Sequence, residues 1–255
     1  MEYNRKKIVK KIVEICHKKK EGHIPSSLSI IDILFSIYDF VDLNLIKNQS
    51  PIRDRIILSK GHASLGLYSI LDNFDLLEEP IENFCDFNSS LGGHPSDKIK
   101  YVECSTGSLG HGLPISVGMS MSYKINKVDQ KIFTIIGDGE LNDGSMWESL
   151  LLASHHKLNN LICILDFNHS GDRALLLGDI FKKIKSFDWD VFEVDGHDVE
   201  SLKKMYSLIT DKPLFLIANT IKGKGIELME NNPEWHHKHI DKELLKRIKL
   251  EIFRK

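Results

Sequence analysis

Lys131–Asn168 reads KIFTIIGDGELNDGSMWESLLLASHHKLNNLICILDFN, and its two short apolar runs, Ile132–Ile136 and Leu161–Leu165, set the architecture. Each run is rich in β-branched or leucyl side chains, has no polar alternation, and is short enough for a strand buried on both faces. The chain between them is long enough for a crossover helix, read here as Met146–Lys157. Two parallel strands joined in this way end at the same edge of a sheet, where open α/β proteins bind ligands. The first run stops at Gly137-Asp138-Gly139 and the second at Asp166-Phe167-Asn168. A carboxylate and an amide oxygen on neighbouring strand ends suit a hard octahedral cation such as Mg²⁺ that shares its remaining positions with water and phosphate oxygens. A turn aspartate and a loop asparagine with no shared role are the plainer reading of the same residues.

Size and composition allow one large α/β domain over residues 1–255. Of the 255 residues, 42% are apolar and 27% charged, as in an ordinary water-soluble chain. A formal charge of -2 gives no polyanion-binding surface, so nucleic acid is not an expected partner. No apolar run approaches the length of a membrane span, and the lysine-rich start lacks the apolar core of a secretory signal. Cys16, Cys85, Cys104 and Cys163 form no CxxC pair, which favours a reduced, cytoplasmic setting.

Upstream, Ile8–Tyr38 reads as two helices around the interruption Gly22-His23-Ile24-Pro25-Ser26-Ser27, with Ser27 or Ser29 as a cap for the second. Residues 53–73 read as a short strand, a turn at Lys60-Gly61, and a helix from about Ala63. His62, at that turn, is placed to donate to a phosphate. Gly107, Gly110, Gly112 and Gly118 permit close backbone approach, first in a loop and then along a buried small-residue helix face.

Together these segments resemble the transketolase family. GDGEL followed by DFN is similar to its thiamine-diphosphate motif, and SKGHA, LGGHP (ending at Pro95), TGSLGHG and the WH pair at Trp235-His236 recur in matching order. The resemblance runs along almost the entire chain and implies an open, mostly parallel α/β sheet with helices on both faces. It also implies bound thiamine diphosphate and Mg²⁺, with Ca²⁺ or Mn²⁺ as substitutes. Asp138, Asn168 and the backbone carbonyl of Ser170 would hold the metal. Gly107, Leu109, Gly137, Gly139, Glu140, His62 and His236 would surround the cofactor. His23, His62, His94 and His236 would orient the donor sugar and help move protons.

Four departures from the family pattern stand out. Pro25 replaces a usual glycine, and His111 a usual glutamine. Asp143 replaces the glutamate that reaches towards a second active site, and serves equally well as an acidic residue at a helix start. The segment His169–Asp179 is unlike the family, and its Arg173 reads either as a surface partner of Asp172 or as a ligand for a substrate carboxylate or phosphate. Farther on, WDVFEVDGHD and PLFLIANT read as two more parallel strands around the helix VESLKKMYSLI, with His197 in a structural turn. Asp241–Lys255 reads as a charged amphipathic helix.

Family members activate the cofactor with a glutamate on a second, pyrimidine-binding domain. The resemblance therefore implies one subunit of a heterotetramer, inactive alone, completed by a separately encoded pyrimidine-binding and C-terminal subunit. The implied reaction moves a two-carbon ketol unit from a ketose, or ketose phosphate, to an aldose or its phosphate. A related enzyme with a keto acid donor, and a catalytically silent assembly subunit, remain as alternatives.

Overall fold

The computed structural model describes residues 3–20, 23–235 and 238–254. His236 and His237 lie outside the described residues.

Five parallel strands form one sheet in the order β1-β2-β3-β5-β4. They are β1 (Arg55–Leu58), β2 (Ile132–Gly137), β3 (Leu161–Phe167), β4 (Asp190–Asp195) and β5 (Leu214–Asn219). The two apolar runs are β2 and β3, paired in register from Ile132 opposite Leu161 to Gly137 opposite Asp166. Their residues are buried from Ile132 to Gly137 and from Leu161 to Asp166, which is why neither run shows polar alternation.

Period-two packing divides the core between the two faces of the sheet. Phe133, Ile135, Ile162 and Ile164 pack with α1 (Arg5–Lys19), α2 (Ile24–Ser29), α3 (Ile31–Phe40), α4 (Leu43–Lys47) and α5 (Ser64–Asn73). Ile132, Ile136, Leu161, Cys163 and Leu165 pack with α6 (Gly112–Ile125), α7 (Gly144–His155) and α8 (Ile180–Lys185). The first face also takes α9 (Val199–Tyr206) and α10 (Lys242–Arg254). Among the described residues, no helix is long and apolar enough to cross a membrane.

Several local expectations are corrected. Ile8–Tyr38 contains three helices, because Pro25 occupies the first turn of α2, where its missing N–H costs nothing. Ser27 and Ser29 therefore lie inside α2 and cap nothing. The Ser29 hydroxyl instead donates to Asp166 Oδ2 at 2.8 Å. The crossover helix begins at Gly144 and ends at His155, two residues earlier at each end than Met146–Lys157. On α6 the buried small-residue face is Gly112, Ser116 and Ser120, at helical spacing, whereas Gly118 is exposed.

Candidate active site

The C-terminal ends of the five parallel strands lie at one edge. Ser59 and Lys60 follow β1, Asp138 follows β2, Asn168 follows β3, and Thr220 follows β5. Strand order stops following chain order between β3 and β5, and the pocket opens there, as the topology of doubly wound sheets requires. It measures about 520 Å³, and Asn168, Ser170, Arg173, Thr220, Lys222 and Asn231 contribute to its wall.

Asp138 is 6% exposed. Its Oδ1 accepts from the Gly139 amide at 2.8 Å and from the Ser170 hydroxyl at 3.1 Å. Its Oδ2 is buried with no hydrogen-bond partner among the described residues. A buried carboxylate oxygen left bare costs free energy, and a cation removes that cost. Asn168 stands beside it. Its Oδ1 accepts from the Ser170 amide at 3.2 Å, and a carbonyl-type oxygen retains a second lone pair for a metal. The donors present therefore fit a hard divalent cation.

Gly171 allows the Ser170 turn to lie this close. A Cβ built on it would stand 2.8 Å from the Gly139 nitrogen, so only glycine lets the two loops touch.

Glu140, expected at the cofactor, has its carboxylate turned inward. Its Oε1 accepts from the Ser59 hydroxyl at 2.5 Å and the Gly110 amide at 3.0 Å, and its Oε2 accepts from the Gly137 amide at 2.9 Å. It thereby ties together the loops after β1, before α6 and after β2. Burial raises its pKa above the ordinary 4.5, against the pull of these donors and of the Lys60 charge.

The histidines are gathered by the same packing. The rings of His23 and His62 lie 5.6 Å apart, centroid to centroid. Gly61 and Gly107 touch back to back, since a Cβ on Gly61 would be 2.9 Å from Gly107 Cα. The exposed His94 ring lies against Gly107. Leu109 is 40% exposed. His111 is exposed at the start of α6, and Asp143 occupies the N-cap of α7 without a side-chain capping bond. Asp172 bonds His169 Nδ1 at 3.0 Å, which corrects the surface pairing of Asp172 with Arg173 and leaves the guanidinium on the pocket wall.

Lys222 lies in the loop Ile221–Gly225, IKGKG, which has the glycines of a phosphate cradle but lacks Walker spacing. Burial and the nearby Lys60 charge push its ammonium down to about 8, against the opposing pull of Asp138 and Asp166. Arg173 adds to that fall. An anion in this pocket would relieve the crowding of positive charge.

A family model described as the transketolase thiamine diphosphate binding domain matches residues 5–252. The chain belongs to the transketolase family. It is the thiamine-diphosphate-binding domain of that family. One subunit of apulose-4-phosphate transketolase from Actinobacillus succinogenes is 39% identical over 249 residues, covering 93% of this chain and 90% of that one. Its namesake from Phocaeicola vulgatus is 36% identical over 247 residues, covering 93% and 88%. Human transketolase is 38% identical over 242 residues, but these are 91% of this chain and 38% of the human one. The solved transketolase of Campylobacter jejuni superimposes with a TM-score of 0.85 at 28% identity, covering 97% of this chain and 42% of that chain. This transketolase domain thus spans about two fifths of the full-length relatives and nearly all of the two apulose-4-phosphate transketolase subunits.

Proposed function

We propose that this chain is the diphosphate-binding subunit of a split transketolase. In this reading it transfers a two-carbon ketol unit from a ketose phosphate to an aldose phosphate, together with a separately encoded partner in a cytoplasmic heterotetramer. The bare, buried Oδ2 of Asp138 beside a cationic pocket carries the reading. Asp138, Asn168 and the Ser170 carbonyl hold Mg²⁺, and Lys222 with His62 and His236 meets the diphosphate. Thiamine diphosphate, when bound, supplies the electron sink for carbon–carbon bond cleavage. This chain's contribution is to hold the metal and diphosphate oxygens, and to orient donor hydroxyls through His23 and His94. The names of the two apulose-4-phosphate transketolase subunits favour a phosphorylated ketose as donor.

The test uses this chain purified with its native partner. Thiamine diphosphate binding is measured by calorimetry with and without Mg²⁺. Turnover is measured on xylulose 5-phosphate or apulose 4-phosphate with an aldose phosphate, and on pyruvate with an aldehyde. Cofactor-dependent transfer from a ketose phosphate, seen only when both chains are present, is expected. Turnover of pyruvate alone would replace the donor class, and a stable complex that binds no cofactor would leave an assembly role.

A further inference from the structure

Lys222 sits on a loop, Thr220–Ile226, that contains two glycines and no regular secondary structure of its own. Such a loop presents a cation accurately only if its backbone is held from behind. The backing comes from residues distant in sequence. The Ile221 amide donates to His197 Nε2 at 2.9 Å. Because a backbone N–H can only donate, Nε2 is the unprotonated nitrogen, so the proton lies on Nδ1 and is donated to Asp32 Oδ2 at 2.7 Å. Asp32 is 1% exposed, and it also accepts from Arg5 Nε at 3.0 Å and from the Tyr3 hydroxyl.

Arg5 is a second strap. Its Nη1 and Nη2 both donate to the Lys224 carbonyl at 3.2 Å, while Nη2 also reaches the Leu28 carbonyl at 3.0 Å. Gly225 makes room for the guanidinium, with φ at +93° and a built Cβ only 2.6 Å from Nη1. The Gly223 amide donates to the Pro25 carbonyl at 3.2 Å. The loop is thus fastened at Ile221, Gly223 and Lys224, on either side of the residue that faces the pocket.

We infer that His197, held in one tautomer by Asp32, is a positioning residue that fixes the Lys222 loop for anion binding, with Arg5 as the second fastening. This inference rests on the reading that Lys222 meets the cofactor diphosphate. His197 itself does not line the pocket. Its role is to accept a hydrogen bond from the Ile221 amide, which no protonated imidazole and no aliphatic side chain can do.

The test compares His197→Ala and His197→Gln in the two-subunit complex. A glutamine can accept from Ile221 through its oxygen and donate to Asp32 through its nitrogen. Hydrogen exchange of the Ile221–Gly225 amides should accelerate about tenfold or more in His197→Ala without a matching rise elsewhere. The affinity for thiamine diphosphate with Mg²⁺ should fall about tenfold, with kcat at saturating cofactor close to wild type. His197→Gln should restore both. Unchanged loop exchange, a rise spread evenly over the domain, or failure of glutamine to rescue would overturn the inference. If the wild-type complex binds no thiamine diphosphate, the cofactor reading falls, and the exchange result alone decides the latch. Should His197→Ala not fold, Arg5→Gln must loosen Lys224 and Gly225 locally, and unchanged exchange there counts equally against it.

Discussion

Asn168 Nδ2 donates to Asp166 Oδ2 at 3.1 Å, and this bond fixes which way the Asn168 amide faces. With its nitrogen committed to Asp166, its oxygen is turned to the Ser170 amide, leaving a second lone pair for the proposed cation. Asp166 in turn is wholly buried and paired with the buried Lys60. Burial alone would raise its pKa, but the charge and hydrogen bond of Lys60, with help from Thr220 and Ser29, hold it below the ordinary value.

Removing that charge strands Lys60. Asp166→Asn should lower unfolding free energy by about 3–5 kcal/mol, read from urea denaturation, because a buried ammonium loses its counter-ion. Adding Lys60→Met should recover much of the stability. Mg²⁺-dependent cofactor binding should remain impaired in the double variant, since the Asn168 amide is then free to flip.

Asp138→Asn should leave the melting temperature of the isolated chain within a few degrees of wild type, or raise it, because a bare buried carboxylate is exchanged for a neutral group. Calorimetry should show cofactor affinity reduced at least about tenfold in the presence of Mg²⁺. Unchanged Mg²⁺-dependent binding would remove Asp138 from the metal site.

Gly171→Ala adds a methyl where Gly139 already stands. The Ser170 turn must move off Asp138, so stability should fall by about 1–3 kcal/mol, as for other overpacked sites. Mg²⁺ dependence of cofactor binding should weaken with it. A structure of the variant with the Ser170–Asp138 hydrogen bond intact would contradict this account.

Lys222→Met removes the cation that the pocket crowds. Inorganic pyrophosphate and thiamine diphosphate should both bind about tenfold more weakly, or worse, as expected for loss of a charge-assisted hydrogen bond to phosphate. Chain stability should hold or rise, since a costly half-buried ammonium is gone. Equal pyrophosphate affinity in both proteins would exclude Lys222 from the diphosphate site.

Asp32 supplies a pH signature. Burial works to raise its pKa, but the His197 hydrogen bond, the Arg5 charge and the Tyr3 hydroxyl together bring it below the ordinary 3.8. A carboxyl depressed in the folded state contributes stability that is present above 3.8 and lost as pH falls through the folded value. Asp32→Asn should cost about 3 kcal/mol at neutral pH and flatten the acid limb of stability against pH. Parallel acid limbs in urea titrations of the two proteins would show that Asp32 does not carry that contribution.

The parallel β2–α7–β3 unit and the polar strand ends Asp138 and Asn168 were legible in the chain. Each is local: a fully buried strand needs an unbroken apolar run, and a ligand loop needs glycine next to its polar residue. Strand β5 was visible for the same reason, and the edge strand β4, buried only at Val191 and Val194, by its valines and phenylalanine, although their reversed order in the sheet was not. Three-dimensional packing alone settles that Glu140 faces inward, that Lys60 neutralises Asp166, and that His197 bonds both Asp32 and the Ile221 amide. Lys60 and Asp166 are 106 positions apart, and His197 and Asp32 are 165. No periodicity links such residues. Their pairing follows from the packing of α1, α2 and α3 over the sheet edge, which buries the charges and forces each to find the nearest partner.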